Sequence, residues 1–124
     1  MKAFYEEKLH CSTGRTGPTW ADHDFFGHQL TIQQVAKRPT RDTVTVPDGR
    51  IPCDHFGVVL EIEEWERVKD FVENEGISFL VQPHTAFEGE VGEQQTFLIK
   101  DPDGNSIEFK AFEDPEALFE QDYS

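Results

Sequence analysis

The segment Phe97 to Phe109, FLIKDPDGNSIEF, constrains this chain more than any other. It reads as a strand, a tight Asp101-Pro102-Asp103-Gly104-Asn105 turn and a second strand. Proline fixes φ early in the turn, and glycine or asparagine takes positive φ where the chain reverses. The second strand alternates, so Ile107 and Phe109 point one way while Glu108 and Lys110 point the other. Glu108 therefore leaves its strand on the face opposite the apolar residues. A carboxylate held there needs water, a cation or a metal.

The stretch Asp54 to Ile62 is a second strand by pattern. Phe56, Val58, Leu60 and Ile62 form one fully apolar face, and His55 lies on the other with Gly57, Val59 and Glu61. Trp65, Val68, Phe71 and Val72 then recur at helical spacing, which predicts a helix over Glu63 to Glu75 with Gly76 at its C-terminal cap. Ile77 to Val81 reads as the next strand. Gln82 to Gln95 contains Pro83, Gly89 and Gly92 and reads as a long loop able to edge a cavity. Residues 53–112 thus read β-α-β-β-β, with His55 on the first strand and Glu108 on the last.

The N-terminal part is a looser version of the same order. Phe4, Tyr5 and Leu9 share one face of a segment that reads as the end of an amphipathic helix. Cys11 to Thr19 reads as loop or short irregular strand. Trp20 to Val35 reads as two strands around a turn near Asp22-His23-Asp24, with Leu30 and Ile32 inward and Gln29, Thr31 and Gln33 on a polar face. Ala36 to Cys53 is charged and proline-containing and reads as a linker. In the tail, Asp114-Pro115-Glu116 starts a short helix that Leu118 and Phe119 could dock. His28-Gln29-Leu30 echoes Ile107-Glu108-Phe109, a weak internal repeat in which no strand precedes the first helix.

Charge and cysteine content narrow the function classes. The formal net charge is -14, from 25 acidic and 11 basic side chains, so the chain repels phosphate backbones and nucleic acid is not an expected partner. Cys11 and Cys53 are too few for a disulfide framework or a cysteine-rich zinc site, and free thiols fit a cytoplasmic location. No apolar run approaches the ~18 residues of a membrane span, and the N-terminus has no signal-peptide core. No Ser-His-Asp spacing, phosphate loop or Cys-His nucleophile pattern is present.

Three pieces resemble the vicinal oxygen chelate superfamily of glyoxalases, bleomycin and fosfomycin resistance proteins and extradiol dioxygenases. They are Asp24 to Leu30, Asp54 to Leu60, and Phe97 to Phe112 with its Asp-Pro-Asp-Gly-Asn turn. The resemblance implies an α+β fold of paired βαβββ modules whose curved mixed sheets surround a cavity. Its divisions here would be a truncated module 1–38, a linker 39–52, a module 53–112 and a tail 113–124. The first module departs from the family pattern, because the chain starts inside the helix that follows that module's first strand.

The resemblance also implies a divalent metal (Fe, Mn, Ni or Zn) held by side chains on the first and last strands of each module. His55 and Glu108 match the ligands of the second module. Gln29 matches the last-strand ligand of the first, with His28 its neighbour on the opposite face. Imidazole and carboxylate suit such ions, and a bound ion with open positions can polarise a substrate that chelates through two vicinal oxygens.

Each residue has a plainer reading. His55 could be a hydrogen-bonded histidine at a strand start, Glu108 the ion-pair partner of Lys110, Gln29 a polar wall contact and His28 a satisfied core histidine. His23 and His84 read as surface loop residues. Trp20, Phe25 and Phe97 could line the cavity, though the phenylalanines more naturally pack the core.

The expected function is a small metal-dependent enzyme of the glyoxalase and dioxygenase type, with Glu108 as the catalytic residue and a homodimeric assembly. The alternative is a metal-free small-molecule binding module of the same fold, its groove acidic and aromatic-lined.

Overall fold

The computed structural model describes residues 1–37, 42–46, 49–114, 116 and 118. They fall into two units, Met1–Asp54 with Asp101–Gly104, and His55–Lys100 with Asn105–Ser124. Strands dominate both, which makes the chain an α+β protein.

The N-terminal unit begins with a widened helical turn, Phe4–Lys8, closed by Leu9 N–H donating to the Phe4 carbonyl at 2.9 Å. Phe4, Tyr5 and Leu9 are all buried, as their shared face predicts. Strands β1 (Ser12–Thr16), β2 (Trp20–Phe25) and β3 (His28–Gln33) follow as an antiparallel sheet in the order β1-β2-β3. Tyr5 packs edge-on against Phe4 and Phe25, with ring centroids 5.2 and 6.5 Å away.

The β2–β3 reversal lies at Phe26-Gly27, two residues later than the polar Asp22-His23-Asp24 triplet suggests. Phe26 and Gly27 have φ of 51° and 89°, the backbone that a tight two-residue hairpin of this twist requires. The Asp24 carboxylate accepts the Gly27 N–H at 2.7 Å. With the turn there, the Asp-His-Asp run is strand, and His23 is 1% exposed. The surface-loop reading of His23 is thereby corrected. Its Nε2 lies 3.0 Å from Glu6 Oε1. Hydrogen bonds from His23 and then Thr13 hold the Glu6 carboxyl below its ordinary value.

Within the stretch expected to be a linker, β4 (Thr43–Val46) and β5 (Gly49–Pro52) form an antiparallel hairpin.

The second unit has the predicted order. Strand β6 (His55–Leu60) leads into helix α1 (Ile62–Asn74), then β7 (Phe79–Ala86), β8 (Gln94–Lys100) and β9 (Ser106–Ala111). The sheet order is β6-β9-β8-β7, with β6 and β9 parallel and the other pairs antiparallel. Helix α1 buries Trp65, Val68 and Val72. It ends in a paired C-cap, with Gly76 at φ 72°, Ile77 N–H on the Val72 carbonyl and Gly76 N–H on the Glu73 carbonyl; this is the glycine cap the sequence predicts. Strand β7 runs through Pro83, His84 and Thr85 to Ala86, so the expected loop Gln82–Gln95 shortens to the residues between Ala86 and Gln94. One of the two register shifts in the β7–β8 ladder, between Val81 and His84, spans Pro83, which has no N–H to give.

The core under α1 is aromatic. Phe97 stacks on Phe109 at 5.1 Å and meets Trp65 at 5.5 Å and Phe79 at 5.3 Å. Phe97, Ile99, Ile107 and Phe109 are fully buried, and each such side chain contributes about 1.5–3 kcal/mol of burial free energy. The Trp65 indole N–H donates to the Phe109 carbonyl at 2.9 Å and pins the helix to β9. Phe97 and Phe25 are both buried core residues. The tail residues Pro115 and Phe119, on which the expected helix start and docking contact depend, lie outside the described residues.

Candidate functional site

Parallel pairing of β6 with β9 brings His55 and Glu108 together across 53 positions of sequence. The register sets His55 opposite Ser106 and Gly57 opposite Glu108. Strand alternation then puts His55, Gly57, Val59, Ser106, Glu108 and Lys110 on the face away from α1. From β8, Thr96 and Leu98 join that face, because they pair with Lys110 and Glu108.

His55 Nε2 lies 3.6 Å from Glu108 Oε1, and Lys110 Nζ lies 3.5 Å from the same oxygen. The Thr96 hydroxyl donates to the other oxygen, Oε2, at 2.9 Å. The Glu108 side chain is 16% exposed, against 29% for His55 and 33% for Lys110. Glu108 is therefore the recessed member, and the two basic groups stand between it and solvent. Thr96 was not foreseen. Its signal was present: a hydroxyl two positions from Leu98 on a strand whose alternate residues, Phe97 and Ile99, are core.

The other predicted residues belong to the N-terminal unit. Gln29 donates through Nε2 to Asp22 Oδ2 at 3.0 Å, and Thr31 donates to Asp22 Oδ1 at 2.7 Å. Asp22 is 5% exposed. It is a second residue the sequence reading missed, on the same face of its sheet as Gln29. His28 is exposed at the start of β3, which corrects its reading as a core histidine. His84 lies on β7 opposite Thr96, where its Nδ1 is 2.9 Å from the Gln82 carbonyl oxygen; it is not a loop residue.

The donor set of the second unit can be tested against a divalent ion. A separation of 3.6 Å is too long for a hydrogen bond. It suits two ligands that share one ion at about 2.0–2.2 Å each. An imidazole nitrogen and a carboxylate oxygen are also the donor types that Fe, Mn, Ni and Zn accept. The fit is two-pointed: among the described residues, no three His, Cys, Asp or Glu side chains cluster closely enough to hold a metal ion. The remaining positions would fall to water or substrate.

The family model described as "Glyoxalase/Bleomycin resistance protein/Dioxygenase superfamily" matches residues 1–109. The chain belongs to that superfamily. Among solved structures, it is similar to a glyoxalase/bleomycin resistance protein/dioxygenase from Alicyclobacillus acidocaldarius. The identity is 30%, over 94% of this chain and 84% of that one, with a TM-score of 0.80. Its fold also matches the genomically encoded fosfomycin resistance protein FosX from Listeria monocytogenes, at 14% identity over 94% and 85% of the two chains and a TM-score of 0.67. Lactoylglutathione lyase from Agrobacterium tumefaciens matches at 16% identity over 90% and 83%, with a TM-score of 0.60. The last two similarities establish the shared fold. A search of curated proteins finds no match. Superfamily members thus include both enzymes and resistance proteins on the architecture described above. No helix among the described residues is long and apolar enough to cross a membrane.

Proposed function

We propose that this chain is a metal-dependent enzyme of the superfamily, acting on a small molecule through two vicinal oxygens. His55 and Glu108 would be the protein's hold on an Fe, Mn, Ni or Zn ion. The observation that carries the reading is the His55 Nε2–Glu108 Oε1 separation of 3.6 Å on a face that also presents Lys110 and Thr96. When bound, such an ion supplies Lewis-acid polarisation of the substrate oxygens.

The chain's own residues do the positioning. Thr96 holds Oε2 of Glu108, which turns Oε1 toward His55. Lys110, 3.5 Å from that oxygen, balances the carboxylate charge. Glu108 is the catalytic candidate, its Oε1 being the acceptor atom that both basic neighbours face. Gln29 and His28, in the other unit, are not assigned to this set. A homodimer and a cytoplasmic location complete the proposal; light scattering on the purified protein tests the first.

Elemental analysis of protein purified without chelator should find about one ion per chain, and His55→Ala should lose it. Protein that takes up none of Fe, Mn, Ni or Zn after incubation with each would end this reading.

One observation favours a second reading, a metal-free binding module. Lys110 already supplies Glu108 with a cation at 3.5 Å. A small-molecule ligand whose stabilising effect on thermal unfolding is the same with and without chelator would select that reading.

A further inference from the structure

The chain carries 25 acidic and 11 basic residues, yet the face around Glu108 inverts that balance. Strand register places Lys100 opposite Ser106, Lys110 opposite Thr96, and His84 opposite Thr96 from the other side. With His55, these residues share a sheet face with Glu108, and Glu108 is the acidic side chain that strands β6 to β9 carry. The excess of carboxylates lies elsewhere, on α1 and in the loops. A groove that is acidic overall, as net charge suggests, is not what this sheet presents.

The geometry of Lys110 adds a second point. Its ammonium is 3.5 Å from Glu108 Oε1, beyond the ~2.7–2.9 Å of a charge-assisted hydrogen bond. An ammonium has three donors, and one third of the Lys110 side chain is exposed. Glu108 meanwhile receives the Thr96 hydroxyl at 2.9 Å and faces His55, so its charge is shared among several donors. Ser106, two positions before Glu108 on the same face, is 1% exposed, and its hydroxyl has no hydrogen-bond partner. The face thus holds an under-used cation and an unmatched buried hydroxyl beside one carboxylate whose interactions are already taken.

We infer that Lys110 is the anchor for an anionic group on the ligand, and that the substrate class is a small carboxylate bearing an oxygen on the adjacent carbon. This deepens the proposed function and rests on the same sheet face being the ligand site. Any cation joining His55 and Glu108 consumes the Glu108 charge and frees the Lys110 ammonium for the ligand. Without a metal, Lys110 still offers its outward donors to an anion. A neutral vicinal diol offers the ammonium only an uncharged acceptor, so Lys110 sets specificity by charge.

Lactate and propane-1,2-diol test this, because they share a carbon frame and adjacent oxygens and differ in the carboxylate. Each is titrated into isotope-labelled protein, with amide shifts followed by nuclear magnetic resonance, once with added zinc and once with chelator. Lactate should bind about tenfold or more tighter than the diol, the size of one charge-assisted contact. In chelator, Lys110→Met should abolish the difference and Lys110→Arg should keep it; with zinc, where the ion itself favours a carboxylate, Lys110→Met should reduce it. The spectra report whether each variant is folded, and Lys110→Gln substitutes for Lys110→Met if the latter is not.

Lactate binding no tighter than the diol, or equally tight in the folded Lys110→Met variant, overturns the inference. Zinc content, measured separately, then still decides the metal reading. Lys110-dependent lactate binding that persists in chelator upholds the inference, and the metal reading is again decided by zinc content.

Discussion

The Tyr5 hydroxyl donates to Asp101 Oδ2 at 2.7 Å across 96 positions of sequence, with both residues buried. The other oxygen of Asp101 accepts the Asp103 N–H at 3.0 Å, and the turn closes through Gly104 N–H to the Asp101 carbonyl. One carboxylate therefore shapes the β8–β9 turn and receives the N-terminal phenol. Tyr5→Phe should cost about 1.5–3 kcal/mol, the range for a hydrogen bond to a buried charged group. Urea unfolding with an unchanged slope checks it, since a changed slope would mean that more than one contact was lost.

The same phenol should make the protein sensitive to alkali. Burial, and then the hydrogen bond to Asp101, push the Tyr5 pKa up. The folded state thus binds this proton more tightly than the unfolded state does. Its contribution is complete below about pH 10, the unfolded phenol's pKa, and is lost as pH rises beyond that. The stability gap between wild type and Tyr5→Phe should narrow progressively above that pH. A gap that stays constant to the alkaline limit would refute the account.

The two thiols should react very differently. Cys53 is exposed and Cys11 is buried. Burial, and then the Asp24 charge, push the Cys11 thiol up to about 11, so little thiolate is present at neutral pH. An aromatic disulfide reagent should titrate Cys53 promptly and reach Cys11 only when the protein unfolds. Equal rates in the native protein would contradict the structure.

Gly57 stands opposite Glu108 on β6, and a Cβ there would overlap the Glu108 backbone carbonyl. The obstacle is backbone, which cannot rotate away. Gly57→Ala should therefore destabilise by about 1–3 kcal/mol, the usual range for overpacking. It should also shift Glu108 relative to His55, so thermal unfolding and metal or ligand titration should change together.

Thr96 is 4% exposed and donates to Glu108 Oε2 at 2.9 Å. If Glu108 holds an ion, Thr96→Val should weaken metal affinity by about 10–100-fold, as loss of a ligand's hydrogen-bond partner does elsewhere. Thr96→Ser, which keeps the hydroxyl, should restore most of it. Competition against a chromogenic chelator reads both.

Much of the second unit was legible because its residues speak locally. The Asp101–Asn105 turn has proline and glycine where a reversal needs them, α1 has a four-residue apolar stripe and a glycine cap, and β6 and β9 alternate cleanly. The pairing of His55 with Glu108 required the fold as well, since nothing local in either strand names its neighbour.

The failures share a cause, which is turn chemistry that overrides polarity. Phe26-Gly27 makes the β2–β3 reversal although phenylalanine rarely takes positive φ, so the more turn-like Asp22-His23-Asp24 drew the boundary. His23 was then misplaced on the surface, when its neighbours Ala21 and Phe25 already marked its face as buried. Pro83 likewise suggested a loop, whereas a register shift between Val81 and His84 keeps β7 paired on either side of it. Thr96 and Asp22 were missed for a different reason: each matters through a side chain on an adjacent strand.

The reversal between β8 and β9 is counted with the N-terminal unit although its flanking strands are not. Dividing the gene after Asp54 would consequently produce two incomplete polypeptides. The first would carry a phenol lacking its acceptor, and the second an aspartate deprived of the group that solvates it. Neither product is a free-standing module, whereas a circular permutant opened between Asp101 and Gly104 keeps both groups in one chain and gives up only the turn's own closure.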